Sequence, residues 1–362
     1  MRGVAKRGVR PRGLAPRFYL EPAIRALVLL GSALASLACI DVRIPLFASG
    51  GALEERVLDG ERGPKILLVD VSGSLGLRST SGLLGLSQSE SAVARLREEL
   101  ERAARDDEIA ALVLRIDSPG GTVIASEILY RELMRHKRAT GRPIVAQLMG
   151  IAASGGYYVA MSADRVQAYP STITGSIGVI MLGFNASGLM EKVGGTNQTF
   201  TTESFKNAGS PFRPMTDAER VQMQSVVTDL FASFLEVVET GRPALSRAHI
   251  EQLADGRIYS GKQALGAGLV DALGDLESAI EAAKTAARVS GDARVVIYRR
   301  PGERAENLFS VQAPVTADGA AAQLRGALAE SSFLYWWPGA ANGALVQGAL
   351  GAARALEAAP AP

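Results

Sequence analysis

The sequence predicts an α/β fold with a largely parallel β-sheet, and three observations carry that prediction. Short runs of aliphatic and β-branched residues alternate with segments whose apolar residues recur at helical spacing. Hydrophobic residues make up 47% of the 362 residues, enough for a sizeable core. Glycine-rich loops stand beside several predicted strands. Alternation of this kind is typical of layered α/β domains.

The first 47 residues have the layout of a membrane-targeting segment. Residues 1–22 are basic, and the apolar run 26–40 can be extended into a candidate span over 23–47. The positive flank predicts a cytoplasmic N-terminus. A retained anchor, a cleaved signal and a lipidated Cys39 are all open, although Ser36 stands where a lipid-attachment signal usually has leucine.

A linker is predicted over 48–62, followed by one domain over 63–300. Its strands are predicted over 66–71, 111–117, 143–149, 165–170, 176–182 and 295–300. Its helices are predicted over 91–106, 122–138, 216–239, 246–254, 261–268 and 275–288. The Ala- and Gly-rich tail over 301–362 contains one aromatic group, FLYWW at 333–337, which we expect to dock on the body or on a neighbour.

Composition excludes several classes of function. The net charge is +2 and the clearest basic cluster precedes the apolar run, which argues against a nucleic-acid partner. The lone Cys39 excludes an internal disulfide framework and a multi-cysteine zinc site. Two histidines without an HExxH motif make a metal site unexpected, and no phosphate-binding glycine motif is present. We therefore expect neither a metal nor a cofactor.

Three glycine-rich loops hold the candidate chemistry: DSPGG at 117–121, GIAASGGYY at 150–158 and TITGSIGV at 172–179. Gly120 and Gly121 precede a predicted helix, where free backbone N–H groups can form an oxyanion hole. A simple tight turn explains the same motif, so the loop alone does not decide between the two.

Ser154 is the candidate nucleophile, since it stands among small residues before an apolar helix. The surrounding residues do not form the GxSxG turn of α/β-hydrolases. Neither His136 nor His249 suits a Ser–His–Asp triad, because both lie on charged helices and are expected to face solvent. A Ser-Gly-Gly turn without a partner could equally be structural.

Lysine is the remaining candidate base, because an uncharged amine can accept the serine proton. Only seven lysines occur, and six of them stand in the basic N-terminus, in charged helices or in turns, where solvation is expected. Lys206 lies instead in a loop with Phe205 and Phe212 nearby, which makes it the best of the seven. Most lysines are surface residues, so this choice is not unique on composition alone.

These motifs, taken in order, resemble the signal peptide peptidase A family of bacterial and archaeal serine peptidases. The resemblance runs from about Lys65 to Arg288. It is carried by VDVSGSL, LRIDSPGGTV, AASGGYYVAMSADRV, TITGSIGV, SFKNAGSPFRPMTDAER and GRIYSGKQALGAGLVDALG. Six ordered motifs at the family's spacing are far more specific than any single loop.

The resemblance implies a Clp protease/crotonase-like fold of repeated ββα units with an N-terminal membrane-anchor helix. It implies Ser154 as nucleophile, Lys206 as general base, Ser176 as the residue that orients the lysine, and Gly120 with Gly121 as the oxyanion loop. This chain has Phe205 where the family often has tyrosine.

The implied protein is a homo-oligomeric endopeptidase of apolar peptides, such as signal-peptide remnants. It would sit in the bacterial inner membrane, N-terminus inside and peptidase domain outside. Two other functions fit the same fold: a crotonase-type acyl-CoA enzyme, whose usual glutamate the second loop lacks, and a catalytically silent membrane scaffold.

Overall fold

A computed structural model describes residues 51–77, 80–81, 88–310 and 333–336. Its strands are β1 (Glu54–Asp59), β2 (Lys65–Leu75), β3 (Thr80–Ser81), β4 (Gln88–Ser89), β5 (Ile109–Thr122), β6 (Ile144–Ala153), β7 (Arg165–Ala168), β8 (Ile173–Gly175), β9 (Ile180–Met181), β10 (Ile258–Ser260), β11 (Ala272–Leu273), β12 (Arg294–Arg299) and β13 (Phe333–Trp336). Its helices are α1 (Ala92–Ala104), α2 (Val123–Thr140), α3 (Gly155–Ala160), α4 (Ser187–Lys192), α5 (Asp217–Gly241), α6 (Arg247–Leu253), α7 (Gly261–Gly266) and α8 (Leu276–Ala286), with a 3-10 helix at Ser204–Asn207.

Within the described residues, eleven of these strands belong to one sheet. Its main order is β1-β12-β2-β5-β6-β7-β11, in which all neighbours are parallel except β1 and β12. Strand β8 runs parallel to the end of β6, and β10 pairs with β8. Strand β13 pairs antiparallel with both β5 and β9. Parallel pairs need crossover connections, which the helices between the strands supply.

Helices cover both faces of this sheet, so its central strands are buried on both sides. In β2, Leu67 packs in the core beneath α1, α2, α3 and α5, whereas the next residue, Leu68, packs in the core beneath α8. Successive side chains of a strand point to opposite faces. The unbroken apolar run of β2, which has no polar alternation, follows from that two-sided burial.

The predicted α/β fold class is confirmed, and most predicted elements appear within a few residues of their expected bounds. The strand predicted over 176–182 is wrong in its first half. Gly175 and Ser176 have φ angles of 80° and 50°, which turn the chain, so only Ile180–Met181 is extended. The segment predicted as a linker, 48–62, contains β1, which pairs with β12.

One helix in the described part of the chain, α5, is long and apolar enough to cross a membrane by length and composition alone. Its side chains Phe234, Leu235 and Val238 are buried in the core of the domain. The predicted anchor over 23–47 lies outside the described residues.

Candidate active site

The three glycine-rich loops meet at the carboxyl ends of neighbouring strands. The DSPGG loop lies in the last part of β5, Ser154 follows β6, and Ser176 follows β8. In the strand register, Ser118 lies opposite Ala152 and Ala153 opposite Gly175. The carboxyl edge of parallel strands is the usual place for a binding site in open α/β sheets.

Ser154 occupies a strained turn between β6 and α3. Its φ is 53° and its ψ is −115°, and it is 1% exposed. Its N–H donates to the carbonyl oxygen of Gly175 at 2.7 Å, and its own carbonyl accepts from the N–H of Tyr158 at 2.8 Å. A non-glycine residue held at positive φ costs on the order of 1–3 kcal/mol and is common at functional sites. The turn has the strand-to-helix form that exposes nucleophilic serines in other folds.

Gly120 and Gly155 bring two backbone segments into close contact beside Ser154. Gly120 has a φ of 101°, and a Cβ placed on it would lie 2.7 Å from the nitrogen of Gly155. A Cβ on Gly155 would lie 2.4 Å from the Ser126 hydroxyl oxygen. Only glycine fits at either position, because real Cβ contacts are not this short.

Gly120 and Gly121, the two glycines of the DSPGG loop, differ in what their backbones contact. The N–H of Gly120 donates to the hydroxyl of Ser118 at 3.1 Å, and the backbone of Gly121 lies between β2 and β13. The sequence predicted these two glycines as the oxyanion loop and did not single out Gly155, which the structure places against Gly120. In nucleophile-elbow folds the residue after the serine supplies such a donor, so the SGG sequence offered a reason to consider Gly155.

Ser176 lies next to Ser154 across the β6–β8 pair. Its φ is 50°, it is 7% exposed, and its N–H donates to the carbonyl of Arg257 at 2.8 Å. Among the described residues, the hydroxyls of Ser154 and Ser176 have no hydrogen-bond partner. The structure thus brings two predicted site serines together, with both hydroxyls available.

Lys206 lies in the exposed 3-10 helix Ser204–Asn207, and its side chain faces solvent. In the parts of the chain that the structure describes, its amine makes neither a hydrogen bond nor a salt bridge. One copy of the chain therefore does not present a formed Ser154–Lys206 pair.

Arg213 ties the Lys206 segment to the start of α5. Its guanidinium donates to the carbonyl of Asn207 at 2.8 Å and to the carboxylate of Glu219 at 2.9 Å. Glu219 also accepts from the N–H of Thr216 at 2.8 Å, as part of a capping box. The hydrogen bonds from Arg213 and from the Thr216 N–H lower the pKa of Glu219 to about 2.

Large exposed apolar side chains are concentrated in the sequence around Lys206. The most exposed between residues 184 and 221 are Phe200 (97%), Phe184 (77%), Val193 (71%), Val221 (71%), Leu189 (63%), Phe205 (51%) and Phe212 (49%). Soluble monomers rarely expose so many large apolar groups within one short segment, and such surfaces commonly mark interaction sites.

Two residues expected in solvent are buried. His136 is 6% exposed on α2, where burial, followed by the charge of Arg142, lowers its pKa to about 4. Lys65 is 7% exposed, and its amine forms salt bridges with Glu55, Asp106 and Glu108. Neither residue contacts Ser154. His249 is exposed on α6, as predicted.

No group of three or more His, Cys, Asp or Glu side chains in the described residues could hold a metal ion. The three loops carry serine and threonine hydroxyls, the carboxylate of Asp117 and backbone N–H groups.

Comparison with protein-family models matches residues 136–290 to Peptidase family S49. A protein of Enterococcus faecium named as a signal peptide peptidase SppA is 33% identical over 253 residues, covering 70% of this chain and 72% of that protein. A protein of Synechocystis named as a protease is 38% identical over 191 residues, 53% of this chain and 68% of that protein. Protease 4 of Haemophilus influenzae is 32% identical over 224 residues, 61% of this chain but 34% of that longer protein.

Proposed function

Because the chain belongs to peptidase family S49 and is therefore a serine peptidase, we propose that it cleaves peptide bonds with Ser154 as nucleophile and Lys206 as general base. One observation carries this proposal: Ser154 is a buried residue at positive φ in the turn between β6 and α3, where the three glycine-rich loops converge. A merely structural turn would have no need of serine at this position, because glycine adopts the same backbone without a Cβ.

The proposed reaction begins with the uncharged Lys206 amine accepting the proton of the Ser154 hydroxyl. The serine oxygen attacks the carbonyl carbon of the peptide, and backbone N–H groups of the turn hold the resulting oxyanion. We assign that role to the N–H of Gly155, beside the predicted loop of Gly120 and Gly121; the Gly120 N–H would have to leave the Ser118 hydroxyl to take part. Each such donor is commonly worth about 3–4 kcal/mol. The lysine returns the proton to the leaving amine, and water, activated by the same lysine, releases the acyl group from Ser154.

Ser176 acts in this proposal as a positioning residue for the lysine. Ser176 directly follows β8, which pairs with the end of β6 just before Ser154. Its hydroxyl has no partner among the described residues, so it is available to accept a hydrogen bond from the incoming amine. Such a bond would aim the amine at the Ser154 hydroxyl rather than at solvent.

The lysine is supplied, in our proposal, when copies of the chain assemble. A lysine base works in a dry, apolar setting that favours its uncharged form, and the Lys206 segment is exposed in one copy. Aromatic residues are enriched in protein–protein interfaces, so the exposed phenylalanines near Lys206 could form a contact between copies. A homo-oligomer would cover them and place the amine of one copy beside the Ser154 of its neighbour.

We place the domain on the extracytoplasmic side of the bacterial inner membrane, tethered through residues 23–47 with the N-terminus inside. The basic segment 1–22 supports that orientation. Apolar peptides, such as the remnants of cleaved signal sequences, are the substrates we propose, since relatives carry the name signal peptide peptidase.

Two substitutions test the pair. We expect Ser154→Ala to abolish labelling by a fluorophosphonate, and both Ser154→Ala and Lys206→Ala to abolish cleavage of an internally quenched apolar peptide. Ser225→Ala and Lys262→Ala are matched controls, because both side chains are exposed and lie outside the three loops and the exposed apolar segment around Lys206. Full turnover by folded Lys206→Ala protein would refute the lysine base, and continued labelling of Ser154→Ala protein would refute the nucleophile.

A further inference from the structure

The short strand β13, near the C-terminal end of the chain, lies against the proposed active site. Residues Phe333–Trp336 pair antiparallel with the end of β5, where Tyr335 lies opposite Gly121 and Trp336 opposite Gly120. On its other side, β13 pairs with β9, with Leu334 opposite Ile180. Within the described residues, β9 has no other strand partner. A short segment thus fills a slot between two strands that do not pair with each other.

The backbone of this segment reaches the glycine turn beside Ser154. A Cβ placed on Gly120 would lie 1.9 Å from the carbonyl oxygen of Tyr335, and a Cβ on Gly155 would lie 3.0 Å from the same oxygen. A peptide carbonyl therefore lies against the two glycines whose close approach defines the turn. In the proposed function, a substrate carbonyl is held beside the same glycine turn.

The side chain of Tyr335 occupies a pocket with an aromatic lining. Its ring stacks on Tyr158, with ring centroids 5.2 Å apart, and lies 4.6 Å from the centroid of Phe234. Its hydroxyl donates to the carbonyl of Leu230 at 2.8 Å, and the residue is 1% exposed. The walls of the pocket pack against an aromatic ring, and a carbonyl at its end accepts a hydrogen bond from a hydroxyl. A tyrosine side chain has both the ring and the hydroxyl.

We propose that Phe333–Trp336 is a pseudosubstrate strand, which fills the peptide-binding cleft of this chain and marks an aromatic subsite formed by Tyr158 and Phe234. The proposal deepens the peptidase function and rests on it. A peptide would bind as the segment does, by adding a strand between β5 and β9 through main-chain hydrogen bonds. Its side chain facing Tyr158 and Phe234 would be preferred when aromatic.

Occupation by the segment has a measurable consequence, because a peptide must displace it. The apparent affinity for a peptide is reduced by the fraction of molecules whose cleft is open. Weakening the segment should therefore raise the affinity for peptides without changing the chemistry at Ser154. A strand that merely completed the sheet would show no such coupling.

The first test measures binding rather than cleavage. Fluorescence polarisation is recorded with a fluorescein-labelled Phe-Leu-Tyr-Trp peptide on full-chain Ser154→Ala protein, with and without Tyr335→Ala. We expect Tyr335→Ala to tighten binding by about fivefold or more, as when an occupied cleft is freed. Phe309→Ala is the control, because Phe309 is 53% exposed and its substitution removes an aromatic ring from another part of the chain. Unchanged affinity in a folded Tyr335→Ala variant would overturn the proposal.

The preference for an aromatic side chain is tested by the same assay. An unlabelled peptide with alanine in place of tyrosine should compete at least about tenfold less well than Phe-Leu-Tyr-Trp. Equal competition by the two peptides would overturn the aromatic subsite.

A second measurement needs no change in the segment, in case Tyr335→Ala does not fold. In Ser154→Ala protein, an excess of the peptide should increase hydrogen–deuterium exchange at the amides of Leu334–Trp336, because the peptide takes their place. Unchanged or slower exchange there, at a peptide concentration that saturates binding, would overturn the proposal. Neither measurement depends on catalysis, so an inactive wild-type enzyme would refute the proposed function and leave the occupancy of the cleft to be decided by these assays.

Discussion

Ser154 is the residue at which local stability and proposed chemistry conflict. Its φ of 53° is unfavourable for any side chain with a Cβ, yet the Gly175 carbonyl and the Tyr158 N–H hold the backbone there. The main chain on both sides is fixed by β6 and α3. Strain of this kind persists only where the surrounding structure determines it.

This conflict predicts that Ser154→Gly stabilises the protein while abolishing cleavage. Glycine adopts the same φ without a Cβ penalty, so we expect a gain of about 1 kcal/mol in the free energy of unfolding. Ser154→Ala is the control, because alanine keeps the Cβ and the strain while removing the hydroxyl. Urea unfolding of the purified full chain in detergent measures both. A Ser154→Gly variant no more stable than Ser154→Ala would show that the turn is not strained.

His136 predicts a pH dependence of stability that is independent of catalysis. Burial lowers its pKa in the folded protein to about 4, below the ordinary value of 6.5. Between these values the unfolded chain binds a proton that the folded chain does not. The contribution of His136 to the free energy of unfolding is therefore intact above about pH 6.5. It is lost as the pH falls towards 4, by up to about 3 kcal/mol.

The measurement compares wild type with His136→Gln, whose side chain does not titrate. Urea unfolding at pH 7 and at pH 4.5 should show a larger loss of stability in the wild type than in the variant. Equal losses of stability in the two proteins would show that His136 does not contribute and that carboxylates account for the acid sensitivity of the fold.

The sequence predicted the position of the glycine-rich loops better than the packing around other residues. The loops that hold Ser154 and Gly120 leave a local pattern at strand ends, whereas Ser176 was predicted only from the family resemblance. The burial of Lys65 and His136 was not predictable, because it depends on what packs over them. Lys65 is buried by an ion cluster drawn from Glu55, Asp106 and Glu108, residues distant in sequence and without a local pattern.

At the scale of elements, Arg213 controls how the Lys206 segment is presented. It joins the end of the 3-10 helix, through the Asn207 carbonyl, to the capping box of the long helix α5. The segment itself is exposed and contributes no buried residue. Its position therefore depends on this bridge more than on packing.

We predict that Arg213→Gln lowers kcat by about tenfold or more, because small displacements of a catalytic group carry large costs in rate. Fluorophosphonate labelling of Ser154, if the lysine assists it, should slow in parallel. Arg247→Gln is the matched control, since it breaks exposed salt bridges with Glu239 and Glu251 on α5 and α6 without touching the Lys206 segment. An unchanged kcat in a folded Arg213→Gln variant would show that the Arg213 bridge is not needed to position Lys206.

The same substitution has a pH signature. The pKa of Glu219 is lowered to about 2, first by its hydrogen bond to Arg213, so its contribution to stability is present above about pH 4.5 and is lost as the pH falls towards 2. Removing the guanidinium should raise that pKa and flatten the dependence. Acid unfolding of Arg213→Gln and wild type measures the difference.

Elements with a strong hydrophobic period were predictable, whereas short strands were not. The helix expected over 216–239 appears as Asp217–Gly241, because its capping residues and its apolar pattern agree. Strand β1 was missed because its sequence, EERVLD, is mostly charged and exposed and lacks an apolar alternation, as edge strands often do. Strand β13 lies in an Ala- and Gly-rich tail, and only its pairing with β5 and β9 defines it.

At the scale of the whole molecule, one copy of the chain buries the proposed nucleophile in the glycine turn but leaves the proposed base in solvent. Ser154 is 1% exposed, whereas Lys206 is exposed and its amine has no partner among the described residues. The apolar side chains around Lys206 are exposed as well. Assembly would bury the apolar side chains and remove the Lys206 amine from water at the same time. Removal from water favours the uncharged form of the amine.

This argument predicts complementation between two inactive variants. When Ser154→Ala and Lys206→Ala chains with different tags are co-expressed and purified through both tags, some sites combine an intact serine with a neighbour's intact lysine. In a random closed ring, that arrangement restores up to about a quarter of wild-type activity. The control pairs Ser154→Ala with a Ser154→Ala/Lys206→Ala chain, in which no site has a serine. Absence of recovery in a confirmed mixed oligomer would mean that each chain uses its own lysine, so that the Lys206 segment must move towards Ser154 within one copy.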